Sequence, residues 1–119
     1  MPAHYANAAS IGVLPPTLAP DGFAGRVREG YQAAQAIPKT LAQLPCYCYC
    51  DQGAGHKSLH SCFEDSHGAH CGVCVDEALF AYKLEKDQGF SPAEIREMVK
   101  KRFGRNNCAH SLTHAPPAA

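Results

Sequence analysis

The chain has no tryptophan, only two methionines and few charged residues. Charged side chains make up 18% of its 119 residues, and 11 Lys and Arg balance 11 Asp and Glu to a formal net charge of +0. Proteins that bind nucleic acids or acidic membranes need an excess of basic residues. The charge balance therefore argues against both kinds of partner, and no nucleic-acid ligand is expected.

Long apolar segments are also missing. No stretch approaches the roughly 20 apolar residues that a membrane-spanning helix requires. The first 20 residues have no basic start and no continuous apolar run, so they do not resemble a secretory signal peptide. The sequence is compatible with a cytoplasmic protein and with the mature part of an exported one.

Cysteine and histidine are abundant, with seven residues of each. Six of the cysteines and four of the histidines lie between Cys46 and Cys74. The chain is long enough for one small domain with a modest core. Soft-metal binding and disulfide bonding are therefore the first functions to consider.

Apolar spacing predicts three helices, and no segment has a clear strand pattern. The first is expected from about Asp21 to Ile37 with Asp21 as N-cap, the second over 73–88, and the third from Ser91 to Gly104. A short fourth helix is considered over 56–63. The expected fold class is mainly α: a small helical domain of three to four helices with a Cys/His-rich loop.

Extended arms are expected at both ends of this domain. Residues 1–20 are predicted to form an extended arm that docks through Ile11, Val13 and Leu14. Residues 21–104 are predicted to form the helical metal-binding domain, and residues 105–119 are predicted to form a flexible tail.

Three thiols lie within five residues at Cys46, Cys48 and Cys50. In an extended chain, residues i and i+2 point the same way, which places successive sulfurs about 6–7 Å apart. That spacing is too long for a disulfide without distortion but suits bridging through metal ions.

A second motif, Cys71-Gly72-Val73-Cys74, lies at a predicted helix start, where unpaired backbone N–H groups favour the thiolate. Such motifs occur in copper chaperones, zinc sites and thioredoxin-like redox sites, and the last of these need a βαβ context that is missing here. Cys62 lies between the two motifs, among four histidines that are candidate ligands: His56, His60, His67 and His70.

Other interpretations compete with metal binding. The six clustered cysteines allow 15 disulfide pairings in an oxidising compartment. His60 is expected to be exposed, and three acidic residues are expected to be solvated or to cap helices: Asp51, Glu64 and Asp65. Cys108 is interpreted as ancillary, although Cys108 and His110 could hold a surface metal.

Thiolate ligands select Cu(I), zinc and iron–sulfur clusters. A single zinc ion takes four ligands, so one zinc would leave thiols unused. The cysteine spacings match neither common ferredoxin pattern. The order of preference is therefore copper, as Cu(I) and with more than one ion considered, then zinc, then an iron–sulfur cluster.

The segment Pro45-Cys46-Tyr47-Cys48-Tyr49-Cys50 resembles the bacterial family named for its PCYCGC motif, with Tyr49 in place of the glycine. The downstream pattern of His56, Cys62-Phe63, His67 and Cys71-x-x-Cys74 is also similar, over roughly residues 35–82. The family has no assigned function. The resemblance implies a metal- or redox-related role and export through a leader, hence a periplasmic or membrane-anchored location.

The prediction is a soft-metal protein for storage, sequestration or delivery, without catalysis because no nucleophile–base set is recognisable. Its partners would be metal ions and a metal-delivery or acceptor protein. Two alternatives remain. One is thiol/disulfide redox chemistry, and the other is an interaction module whose fold is held together by zinc or by disulfides. The predicted metal ligands are Cys46, Cys48, Cys50, His56, Cys62, His67, Cys71 and Cys74.

Overall fold

The structure, a computed structural model, describes residues 3–47 and 56–104. Within these ranges there are four α-helices and no strand, so the predicted mainly helical fold class is confirmed. The helices are α1 Gly25–Ala36, α2 Pro38–Ala42, α3 Gly72–Gln88 and α4 Pro92–Val99, which a π-helical turn, Lys100–Gly104, extends. Four short 3₁₀ helices occupy Ala8–Ser10, Pro20–Gly22, Leu59–Phe63 and Ser66–His70.

The ends of α3 and α4 follow local signals in the sequence. Gly89 ends α3 in the left-handed conformation at φ 71°, where glycine has no steric penalty. At the start of α4, the Glu94 backbone N–H donates to the Ser91 hydroxyl, and the Ser91 N–H donates to the Glu94 carboxylate. This is the predicted capping box.

The expected start of α1 is wrong. Asp21 lies in the separate 3₁₀ turn Pro20–Gly22, and the N-cap of α1 is Ala24. Phe23 and Ala24 are extended, and they are followed by Gly25, whose φ of +61° a non-glycine side chain would strain. This break in the backbone path separates Asp21 from the helix that it was expected to cap.

The core lies between α1 and α3. Gly30 allows their close approach, since a Cβ there would lie 3.3 Å from Val75 Cγ1. Tyr31 stacks on Phe23 with ring centroids 4.2 Å apart and meets Phe63 edge-on at 5.0 Å. The 3₁₀ helix Leu59–Phe63 packs into this core and carries Cys62 with it.

The N-terminal segment packs against the helical domain. Arg96 on α4 donates hydrogen bonds to the backbone carbonyls of Tyr5 and Ala6. Ile11 is buried, but Val13 is 98% exposed, so docking through Val13 is not observed. The predicted tail, 105–119, lies outside the described residues, and the two boundaries between arm, domain and tail remain predictions.

No helix in the described parts of the chain is both long enough and apolar enough to cross a membrane.

Candidate metal centre

Three cysteine side chains meet inside the core. Cys74 Sγ lies 3.0 Å from Cys46 Sγ and 3.0 Å from Cys62 Sγ. Cys62 and Cys74 are fully buried, and Cys46 is 4% exposed. None of the three is in a disulfide, and a disulfide would need sulfurs about 2.05 Å apart. We call Cys46, Cys62 and Cys74 the inner triad.

Three separate elements supply these thiols. Cys46 follows α2, Cys62 lies in the 3₁₀ helix Leu59–Phe63, and Cys74 lies in the first turn of α3. The Leu59 N–H donates to the Leu44 carbonyl at 2.9 Å, which ties the Cys62 segment to the chain that carries Cys46. The inner triad is thus held by the packing of the fold.

Two further groups lie against the inner triad. His56, Cys62 and His67 form one, and His67, Cys71 and Cys74 form the other. In each of the three groups, the ligand atoms lie within 4.8 Å of one another, so each could hold a metal ion. Cys62 and Cys74 are each shared with the inner triad, and His67 is common to the two outer groups. The three groups therefore form one continuous site.

Asp65 lies beside both histidines of this site. The His56 Nδ1 atom lies 3.6 Å from Cys62 Sγ, and its Nε2 atom lies 4.0 Å from the Asp65 carboxylate. The same carboxylate accepts a hydrogen bond from the His67 backbone N–H at 2.7 Å. A carboxylate on the far ring nitrogen is the usual partner of a metal-ligating histidine. The capping role considered for Asp65 from the sequence is observed, and its nearness to His56 was not foreseen.

The thiols of the site differ in acidity. Hydrogen bonding to Cys46 and burial raise the pKa of Cys62 and of Cys74 far above that of an ordinary thiol. In contrast, a hydrogen bond with the Cys74 side chain and the backbone N–H groups of Cys74 and Val73 lower the pKa of Cys71 to about 6. The half-buried Cys71, as N-cap of α3, has the thiolate character that the motif predicted.

Glu77 on α3 is a buried acid beside this site. Its Oε2 atom accepts a hydrogen bond from the Tyr47 backbone N–H at 2.7 Å, which fixes the residue after Cys46. Among the described side chains, Oε1 of Glu77 is the one buried polar atom without a hydrogen-bond partner. Burial and the nearby Cys46 raise the pKa of Glu77 well above its ordinary value.

The predicted ligands thus fall into two sets. Six of the eight lie together in the three groups: Cys46, His56, Cys62, His67, Cys71 and Cys74. The other two, Cys48 and Cys50, lie outside the described residues, as do Cys108 and His110.

The expectation that His60 is exposed is wrong. Its side chain is 1% exposed, and its Nδ1 atom lies 2.8 Å from the Glu64 carboxylate one helical turn later. His60 belongs to none of the three groups. It is a buried structural residue because the 3₁₀ helix that carries it packs into the core.

The model of the PCYCGC-motif family, described as proteins of unknown function, matches residues 4–116. The chain belongs to this family, as the motif predicted. No curated protein and no solved structure matches it.

Proposed function

We propose that this protein binds Cu(I) for storage, sequestration or delivery. The observation that supports this best is the inner triad, in which three thiols from three elements converge in the apolar core. Soft thiolate ligands select soft ions such as Cu(I), and burial protects a bound Cu(I) ion from water and oxidants.

Ligand number favours copper over zinc. Structural zinc sites are almost always four-coordinate, whereas each of the three described groups supplies three ligand atoms. The sharing of Cys62 and Cys74 between groups suits thiolates that bridge two ions. A cluster of more than one Cu(I) ion per chain is therefore proposed, with Cys48 and Cys50 as further ligands.

A thiol/disulfide role is the second candidate. Cys71 is half-buried and has a pKa of about 6, so it is a thiolate at neutral pH, and Cys74 is its partner in the motif. Thiolate character and access are what an attacking cysteine needs. Thiol exchange would use Cys71 and Cys74 but would not require Cys46, which separates this candidate from copper binding.

The location and the partner remain parts of the proposal. Export to the periplasm or anchoring at a membrane, implied by the family resemblance, would fit a protein that buffers copper outside the cytoplasm. A metal-delivery or acceptor protein would then exchange Cu(I) with it.

Anaerobic titration with Cu(I) against a competing chelator tests the copper proposal. The wild-type protein should retain more than one Cu(I) per chain. Cys46→Ser should lose at least one of these ions, because serine keeps the size of the side chain but supplies no thiolate.

Cys108→Ser is the matched control and should retain the wild-type amount. Circular dichroism should show unchanged helix content in both variants. Retention of one ion or fewer by the wild-type protein would contradict the cluster, and equal retention by Cys46→Ser and wild type would exclude the inner triad.

A further inference from the structure

The three groups differ in their access to solvent. Every residue of the inner triad is at most 4% exposed. Cys71 and His67 are half-buried, so these two residues lie nearer to solvent than the inner triad does. Cys71 and His67 are therefore better placed than the inner triad to meet an incoming ion.

The shared ligand Cys74 links that edge to the interior. Its sulfur lies within 4.8 Å of the Cys71 sulfur and of a His67 ring nitrogen on one side, and 3.0 Å from Cys46 Sγ and Cys62 Sγ on the other. An ion bound by His67, Cys71 and Cys74 thus needs to change only two ligands to become an ion bound by the inner triad.

We propose that His67 and Cys71 form an acquisition site that takes Cu(I) from a thiol-bearing or chelating donor and passes it through Cys74 to the inner triad. This inference rests on the proposed copper binding and assigns different roles to the ligands. Cys71 and His67 act in uptake, whereas Cys46 and Cys62 act in retention.

The transfer is a ligand exchange without oxidation or reduction. Cu(I) leaves the donor ligands and bonds to the Cys71 and Cys74 sulfurs and a His67 ring nitrogen, and any thiol proton goes to solvent. The bonds to Cys71 and His67 then break as bonds to Cys46 and Cys62 form, with release of their thiol protons. Cys74 stays bound throughout, so the ion is never without a protein ligand.

Stopped-flow transfer from the coloured Cu(I) complex of bicinchoninate tests the route in anaerobic buffer. Loss of the colour gives the rate of transfer to the protein. Cys71→Ser and His67→Gln should each slow the transfer at least tenfold. Both should still retain more Cu(I) than Cys46→Ser against a strong competing chelator, because their inner triad is intact.

Two controls make the comparison specific. His70→Gln changes an exposed histidine of the same 3₁₀ helix that belongs to none of the three groups, and it should transfer at the wild-type rate. Cys46→Ser should keep the initial rate but retain less Cu(I).

The outcomes separate the two proposals. An unchanged rate in Cys71→Ser, or a loss of retained Cu(I) as large as that of Cys46→Ser, would overturn the acquisition site and leave copper binding intact. If the wild-type protein takes no Cu(I) from the complex and retains none, the proposed function itself fails.

Discussion

Glu77 shows how a single residue links stability to the candidate site. In the sequence it resembles a solvated acid near the start of a helix, where the helix dipole favours negative charge. Its burial depends on a contact with Tyr47, 30 residues earlier in the chain. No local pattern encodes that contact, which is why the sequence did not predict it.

The raised pKa of Glu77 predicts a stability that depends on pH. Below about pH 4.5 the carboxyl is protonated in both the folded and the unfolded chain. As the pH rises from there to the folded-state pKa, only the unfolded chain loses this proton, so folding becomes less favourable. Each pH unit in this window removes about 1.4 kcal/mol from the free energy of unfolding, and no further loss follows above it.

Glu77→Gln removes this ionisation and keeps an oxygen that accepts from the Tyr47 N–H. The melting temperatures of the reduced, metal-free wild type and variant should therefore be similar at pH 4.5. As the pH is raised toward 8, the melting temperature of the variant should exceed that of the wild type by a growing margin. A difference in melting temperature that stays constant across this range would show that Glu77 ionises equally in the folded and unfolded chain. Cys71, whose lowered pKa changes stability in the opposite direction, is present in both proteins, so the difference between them reports mainly on Glu77.

At the scale of the elements, the sequence predicted α3 and α4 well because their ends are set locally. A capping box and a C-terminal glycine act within one turn of the helix. The two 3₁₀ helices that carry Cys62 and His67 are different. They are short, and their positions depend on packing against α1 and α3, so the sequence indicated only one of them, within the short helix considered over 56–63.

These two 3₁₀ helices are in close contact at Gly68. A Cβ at this position would lie 2.9 Å from the Cys62 carbonyl oxygen and 2.9 Å from Phe63 Cδ1. A backbone carbonyl cannot rotate away as a flexible side chain can. We therefore expect Gly68→Ala to lower the free energy of unfolding by about 1–3 kcal/mol, as for other overpacked cores.

Gly72→Ala is the matched control, because nothing lies within 4 Å of the Cβ it would add. Urea denaturation of the metal-free proteins should give a clearly lower midpoint for Gly68→Ala and a near wild-type midpoint for Gly72→Ala. Equal midpoints would mean that the two 3₁₀ helices are not held in the close contact described above.

At the scale of the whole molecule, the clustering of cysteine and histidine along the chain predicted a site but not its internal order. The sequence could not show that Cys46 and Cys62 are buried while Cys71 stays half-buried, since this depends on how α3 packs against the segment after α2. For the same reason it could not show that His60, which the predicted ligand set already left out, is buried and pairs with Glu64 in the core. The fold thus places some of these similar ligands at buried positions and others at half-buried positions.

Copper content and thiol count, measured on one sample purified anaerobically from copper-supplemented cells, test the central claim most directly. The account predicts more than one copper ion per chain and seven titratable thiols after denaturation and copper removal, the full number in the sequence. A chain without copper in which most thiols are missing from the count would contradict it, because the cysteines would then be joined in disulfides.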